Sequence, residues 1–263
     1  MAVGRCYGCG AAALGTYLYA FGGEDVAVEE PQHMTMYNMA TRKVEEVAKP
    51  PRALVYCAGV ACGGLVYSLG GYDVALQSPA ASVHAYNPDI DSWVDGPALP
   101  MAVSDTAAAE HMGCIYMCGG WMGVRAPPSD SLLMLDPRTR AWATLPAMPT
   151  PVAAARAAAV VAGRMYMPGG ATGEVPLGTS ALPTLQSYDL AAGCWDTSCT
   201  PMAQARMAHA VAALHGEVWA VGGEDNECHM ASVEVYRPRL NAWRSGVSLP
   251  LAWCSGACAV VQC

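Results

Sequence analysis

The stretch Trp219–Asn226, WAVGGEDN, drives an apolar run into two glycines and then into two carboxylates. A Gly-Gly pair can be a phosphate cradle, a hinge or a turn in a hairpin. A phosphate loop requires Lys-Ser/Thr after the glycines and a helix behind them, whereas Glu224 and Asp225 follow here. The pattern has four relatives upstream: YAFGG ending at Gly23, YSLGG at Gly71, YMCGG at Gly120 and YMPGG at Gly170. The first glycines, Gly22, Gly70, Gly119, Gly169 and Gly222, recur at intervals of 48, 49, 50 and 53 residues. Three positions ahead of each stands an aromatic residue: Tyr19, Tyr67, Tyr116, Tyr166 and Trp219. Five copies at this period define an array of like structural units.

A second landmark travels with the first. Downstream of each Gly-Gly is a short alternating segment centred on Tyr37, Tyr86, Leu135, Tyr188 or Tyr236. Seven residues beyond each centre stands Val44, Trp93, Trp142, Trp195 or Trp243. The intervening NPDIDS, DPRTRA, DLAAGC and RPRLNA carry turn chemistry, so each unit from Tyr to Trp is expected to be a tight hairpin. Upstream of the glycines, runs such as HAVAALHGEVWAVGG read as two more strands, here with a turn at His215-Gly216. Four short antiparallel strands cannot bury both faces of their own sheet. Stacking such sheets radially around an axis buries them, which predicts an all-β propeller formed by residues 1–263 as one domain.

Three features carry a family resemblance: Gly-Gly after a Tyr-x-x approach, Tyr and Trp seven apart, and PMAQARMAHAVAALHGEVWAVGG at 201–223. Together they resemble the kelch repeat, over nearly the whole chain. The last segment is similar to the kelch-like branch, whose members carry an N-terminal BTB domain and act as substrate adaptors for cullin-RING ubiquitin ligases. The resemblance implies a kelch-type β-propeller of four-stranded antiparallel blades. Val44 and Leu135 depart from the repeat's usual Trp and Tyr, and no BTB segment is found in these residues. Five Gly-Gly pairs are visible where that family usually has six. The tail WCSGACAVVQC, 253–263, reads as a first strand without a second. Its expected partner is LGTYLYAFGG, 14–23, with 254–263 as the strand that closes a five-bladed ring. Membership of a six-bladed ring is the alternative, and residues 5–14 have no assigned place.

Composition narrows the function. Hydrophobic residues make up 53% of the 263 and charged residues 14%, enough apolar material for a large core. The net charge is −8 with Lys43 and Lys49 the only lysines, which excludes a nucleic-acid backbone binder. No apolar run is long enough for a membrane helix, and no signal peptide is recognisable. Several of the 12 cysteines sit in or beside strand-like apolar runs, consistent with reduced thiols in the cytoplasm.

Strand alternation places the connections after Gly-Gly and those between blades on one face, and the tight hairpin turns on the other. The former hold Glu24, Asp25, Glu29, Glu30, Asp73, Asp130, Glu174, Glu224, Asp225 and Glu227, with Arg125 their only basic residue. The opposite turns hold Arg42, Lys43, Arg138, Arg140, Arg237 and Arg239. An acidic face of long connections on a rigid frame is a candidate surface for a linear peptide or small domain. Its candidate residues are Glu24, Asp25, Tyr72, Asp73, Trp121, Arg125, Glu224, Asp225 and Asn226. The kelch-like resemblance adds Arg52, Arg156 and Arg206 as arginines lining the mouth of the central channel.

No catalytic grouping is found, and no cofactor or metal is expected. Cys6-x-x-Cys9 is half a zinc motif with no second pair at suitable spacing, and the six histidines are scattered. The sequence therefore predicts a non-catalytic protein-recognition propeller, of the kind that selects substrates for a ubiquitin ligase. A cytoskeletal, actin-binding scaffold is the first alternative and a small-molecule enzyme the second.

Overall fold

The computed structural model describes residues 6–25, 33–155, 157–174, 178–255 and 259. Five four-stranded antiparallel sheets follow one another along the chain, each with its strands in chain order. The first is built from Gly10–Leu14, Tyr17–Phe21, Met34–Asn38 and Lys43–Glu46. The second comprises Ala58–Cys62, Leu65–Leu69, Val83–Asn87 and Ser92–Asp95; the third, Ala107–His111, Cys114–Cys118, Leu132–Asp136 and Ala141–Leu145. The fourth uses Ala159–Val161, Arg164–Pro168, Leu185–Asp189 and Cys194–Asp196, and the fifth Ala210–Leu214, Glu217–Val221, Val233–Arg237 and Ala242–Ser245. Among the described residues the one helical segment is a 3-10 turn at Pro238–Leu240. Among the described residues no helix is long and apolar enough to cross a membrane.

Four apolar layers lie between consecutive sheets. Tyr19, Phe21, Val66 and Tyr86 join the first two, and Val60, Leu69, Ile115 and Leu133 the next pair. Leu132, Met165, Met167 and Tyr188 fill the third layer, and Tyr166, Val211, Val218 and Tyr236 the fourth. First strands of small residues converge on the axis, where Ala11–Ala13, Gly59, Ala61, Ala108, Ala109 and Ala157–Ala159 line a narrow channel. A Cβ on Gly59 would come within 2.5 Å of the Ala11 carbonyl oxygen, so neighbouring inner strands touch through backbone.

The seven-residue spacing is explained by the strand register. Tyr86 faces Trp93, Leu135 faces Trp142, Tyr188 faces Trp195 and Tyr236 faces Trp243 as direct cross-strand partners. Each Trp then reaches back to the preceding sheet. The indole N–H groups of Trp93, Trp142, Trp195 and Trp243 donate to the carbonyls of Ala48, Pro97, Pro146 and Thr200 at 2.7–2.9 Å. Val44, opposite Tyr37, can make no such bond and is exposed.

The Gly-Gly pairs are joints between sheets. In the third repeat Gly119 and Gly120 have φ of 68° and 106°, and a Cβ on Gly119 would lie 2.3 Å from the Val152 carbonyl oxygen. The N–H of Gly120 donates to that same oxygen at 2.9 Å. Left-handed backbone and carbonyl contact together require glycine there. The other joints use the carbonyls of Leu54, Val103, Arg206 and Trp253 in the same way.

The expected pairing of the tail with residues 14–23 is overturned. Gly10–Leu14, the segment without an assigned place, is itself the first strand beside Tyr17–Phe21, so that edge is already occupied. The tail instead runs past the fifth Gly-Gly: Gly223 N–H donates to Trp253 O at 2.7 Å, and Ala259 borders the channel. The remainder of the proposed closing strand lies outside the described residues, apart from Cys254 and Ser255.

Burial keeps the core thiols protonated. It pushes Cys57 and Cys62 up to about 11 and Cys118 up to about 12. The Cys118 thiol sits 3.2 Å from the sulfur of Met167, as a small polarizable hydrophobe.

Candidate functional site: the mouth of the channel

Just ahead of each of the five first strands, and again in the tail, one residue turns the chain inward through left-handed backbone. These residues are Gly8, Tyr56, Asp105, Ala154, Ala208 and Ser255, with φ between 52° and 66°. Their peptide groups are hydrogen-bonded in a cycle. Tyr56 N–H donates to Gly8 O, Asp105 to Tyr56, Ala154 to Asp105, Ala208 to Ala154, Ser255 to Ala208 and Gly8 to Ser255, at 2.6–3.1 Å. Non-glycine residues in this region are strained, and the cycle is what over-determines them.

Above this cycle is a cavity of about 390 Å³. Tyr56, Tyr72 and Trp121 supply aromatic surface, and Asp105 and Glu224 supply carboxylates. Ala154, Ala171, Met207 and Ala208 complete an apolar floor, and no Arg or Lys is among the described lining residues. The connections of the second to fifth repeats all contribute. Asp105 is buried and Glu224 half-buried. A pocket of this composition suits a side chain with an apolar stem and a positive or hydrogen-bond-donating head.

The candidates chosen from sequence divide between this cavity and other duties. Tyr72 lines it from a short strand, Tyr72–Asp73, paired with Leu54–Val55 and Ser78–Pro79. Trp121 lines it while packing on Ala153, Ala154 and Ala171, held by mutual backbone bonds with Ser104. Glu224 is bridged to Met207 in the same manner, and its Oε2 lies 3.5 Å from Nε2 of His229. Asp225 turns away. Its Oδ1 accepts the N–H groups of Cys228 and Glu227 in a local turn, and these bonds hold its carboxyl below the usual carboxylate range. Asn226 clasps the neighbouring connection, accepting the Ala181 N–H at 2.7 Å and donating to the Thr179 carbonyl. Arg125 is exposed and outside the cavity lining. Glu24–Asp25 pairs with Cys6–Tyr7 as backbone, and its side chains lie outside the described residues.

The reading of Arg206 is corrected, and the three arginines divide. Measured from the left-handed residues, Arg52 lies four positions before Tyr56, Arg206 two before Ala208, and Arg156 two after Ala154. They are not equivalent. Arg206 has no exposed surface: its guanidinium donates to Gly222 O at 2.9 Å, Ser232 O at 3.1 Å and Glu234 Oε1 at 2.8 Å. It is an internal brace and not a channel-mouth ligand. Arg52 faces Asp73 at 3.7 Å and is not among the described lining residues, and Arg156 lies outside the described residues.

Tyr56 and Asp105 were missed from sequence. Each lies fourteen residues ahead of the first glycine of its repeat, a spacing that marks the pocket position once the backbone cycle is known.

Stacked sheets, Gly-Gly joints and a mouth pocket built by several repeats define a kelch-type propeller. A family model described as Kelch motif matches residues 53–100, 102–149 and 205–250, more than half of the chain. The chain belongs to that family. Kelch-like protein 33 of Homo sapiens is 39% identical over 62 residues, a match that covers 24% of this chain and only 12% of that protein. The solved structure of YjhT superposes with a TM-score of 0.80 at 15% identity, covering 98% of this chain and 88% of that one. At that identity the likeness concerns the fold.

Proposed function

We propose that this propeller is a protein-recognition module that selects substrates for a cullin-RING ubiquitin ligase, with the mouth pocket as its central recognition site. The observation that carries the recognition reading is the cavity itself, where three aromatic rings meet the carboxylates of Asp105 and Glu224 on one face. The chain's net charge of −8 adds long-range attraction for a basic segment. The guest is a linear segment whose Lys or Arg stem lies against Tyr72 and Trp121 and whose head meets Asp105. The ligase assignment rests on the short match to Kelch-like protein 33 and on the resemblance of 201–223 to adaptors of that branch. The ring is taken as having six places, five filled by complete sheets and the sixth entered by the tail at 253–255, because the backbone cycle has six members.

A positional-scanning peptide library separates these elements. Wild type should select Lys or Arg at one position, and Asp105→Asn, which keeps shape and tolerates left-handed backbone, should lose about tenfold or more in binding. Equal binding by both proteins, or no selection of a basic residue, refutes the pocket. Capture from cells with the full-length protein addresses the assembly. Recovery of a cullin supports the ligase role, whereas cosedimentation with actin filaments and no cullin replaces it with a scaffold.

A further inference from the structure

Three potential metal ligands meet at the edge of the mouth pocket: Glu224, His229 and Cys254, whose donor atoms all lie within 4.8 Å of one another. They come from two separate pieces of chain, each fixed by backbone. Glu224 and His229 are antiparallel bridge partners in the connection after the fifth Gly-Gly. Cys254 belongs to the tail, where Trp253 N–H donates to Met230 O at 2.9 Å, Gly223 N–H donates to Trp253 O, and Ser255 N–H donates to Ala208 O. The ligands are thus brought together by the fold and not by a sequence motif.

We propose that these three side chains form a zinc site that clips the tail to the fifth sheet. One thiolate, one imidazole and one carboxylate are a donor set suited to tetrahedral zinc, with a fourth position open to water. With metal–ligand distances of about 2.0–2.2 Å for nitrogen and oxygen, the edge of such a tetrahedron is roughly 3.4 Å. The separation of 3.5 Å between Glu224 Oε2 and His229 Nε2 already matches that edge. The Cys254 sulfur need move by only about an ångström, because zinc–sulfur bonds are longer, about 2.3 Å. His229 is exposed and Glu224 and Cys254 are partly exposed, so an ion can enter from solvent. On binding, the Cys254 thiol gives up its proton to solvent and the sulfur becomes a metal ligand. The ion stabilises the docked tail by mass action and sits where Glu224 borders the pocket. This site stands apart from the peptide-recognition reading and survives its failure.

Cobalt(II) titration of the whole 263-residue chain tests the site, because a thiolate ligand gives cobalt a near-ultraviolet charge-transfer band. Wild type should show that band saturating at one equivalent, with zinc abolishing it by competition. Cys254→Ser should lose it, and His229→Asn, a change at an exposed side chain that leaves packing intact, should weaken cobalt binding at least tenfold. Zinc should raise the melting temperature of wild type and leave that of Cys254→Ser unchanged. Absence of the band in wild type overturns the proposal. So does a band of full intensity that persists in both variants, which would put the metal on other cysteines of this chain.

Discussion

Arg52 and Arg206 look alike in sequence, each a lone arginine shortly before the first strand of its repeat, yet the fold uses them in opposite ways. Arg206 occupies the place that Leu54, Val103, Val152 and Trp253 hold at the other joints, with its carbonyl taking the N–H of the second glycine of the preceding repeat. An arginine set among apolar equivalents must be compensated, and Glu234 does so while also accepting the N–H groups of Ala203 and Gln204. Arg52, two residues out of that register, is 44% exposed and meets Asp73 only at 3.7 Å. A shift of two positions turns a surface charge into a buried brace between the fourth and fifth sheets. Residue type alone assigns neither role; the register of the joint does.

The comparison can be broken in order of size. Replacing Glu234 by Ala leaves the Arg206 guanidinium uncompensated in the core and should cost about 3–5 kcal/mol, measured by urea unfolding. A loss under about 1 kcal/mol would mean that water reaches the guanidinium and that the brace is not buried in solution. Changing both residues, Arg206→Leu with Glu234→Leu, should recover part of that loss, since the positions equivalent to Arg206 are apolar and no buried charge is then left uncompensated. A double variant no better than Glu234→Ala would show that the carboxylate's bonds to Ala203 and Gln204 carry the effect. Arg52→Ala is the small end of the scale: a half-exposed pair should change stability by about 0–1 kcal/mol, with no resolvable shift in the unfolding midpoint. A larger effect would indicate that Arg52 also holds the connection in place.

Much of this molecule is legible in the sequence because repetition amplifies weak local signals. One Gly-Gly or one Tyr–Trp pair decides nothing, whereas five in phase fix the strand number per unit and the need to stack. The Tyr–Trp spacing even encodes the hairpin register, since seven residues across a tight turn make direct partners. The face that carries the mouth pocket was also legible in outline, because alternating strands must alternate their ends, and Tyr72, Trp121 and Glu224 line that pocket. Asp225 and Asn226, one residue and two beyond Glu224, do not, because the first closes its own turn and the second spans to the adjacent connection.

The sequence by itself determined the repeat, its hairpins, the stacking of apolar faces and the glycine joints, all of which follow from periodicity and local backbone chemistry. Only the tertiary structure decided which residues share a site. Tyr56 and Asp105 lie in the pocket, Arg206 in the core, and Gly10–Leu14 in the first sheet, while Cys254 comes beside His229 from the far end of the chain. Those placements depend on contacts between repeats, where a displacement of one or two residues exchanges core for solvent, and no local signal records that register.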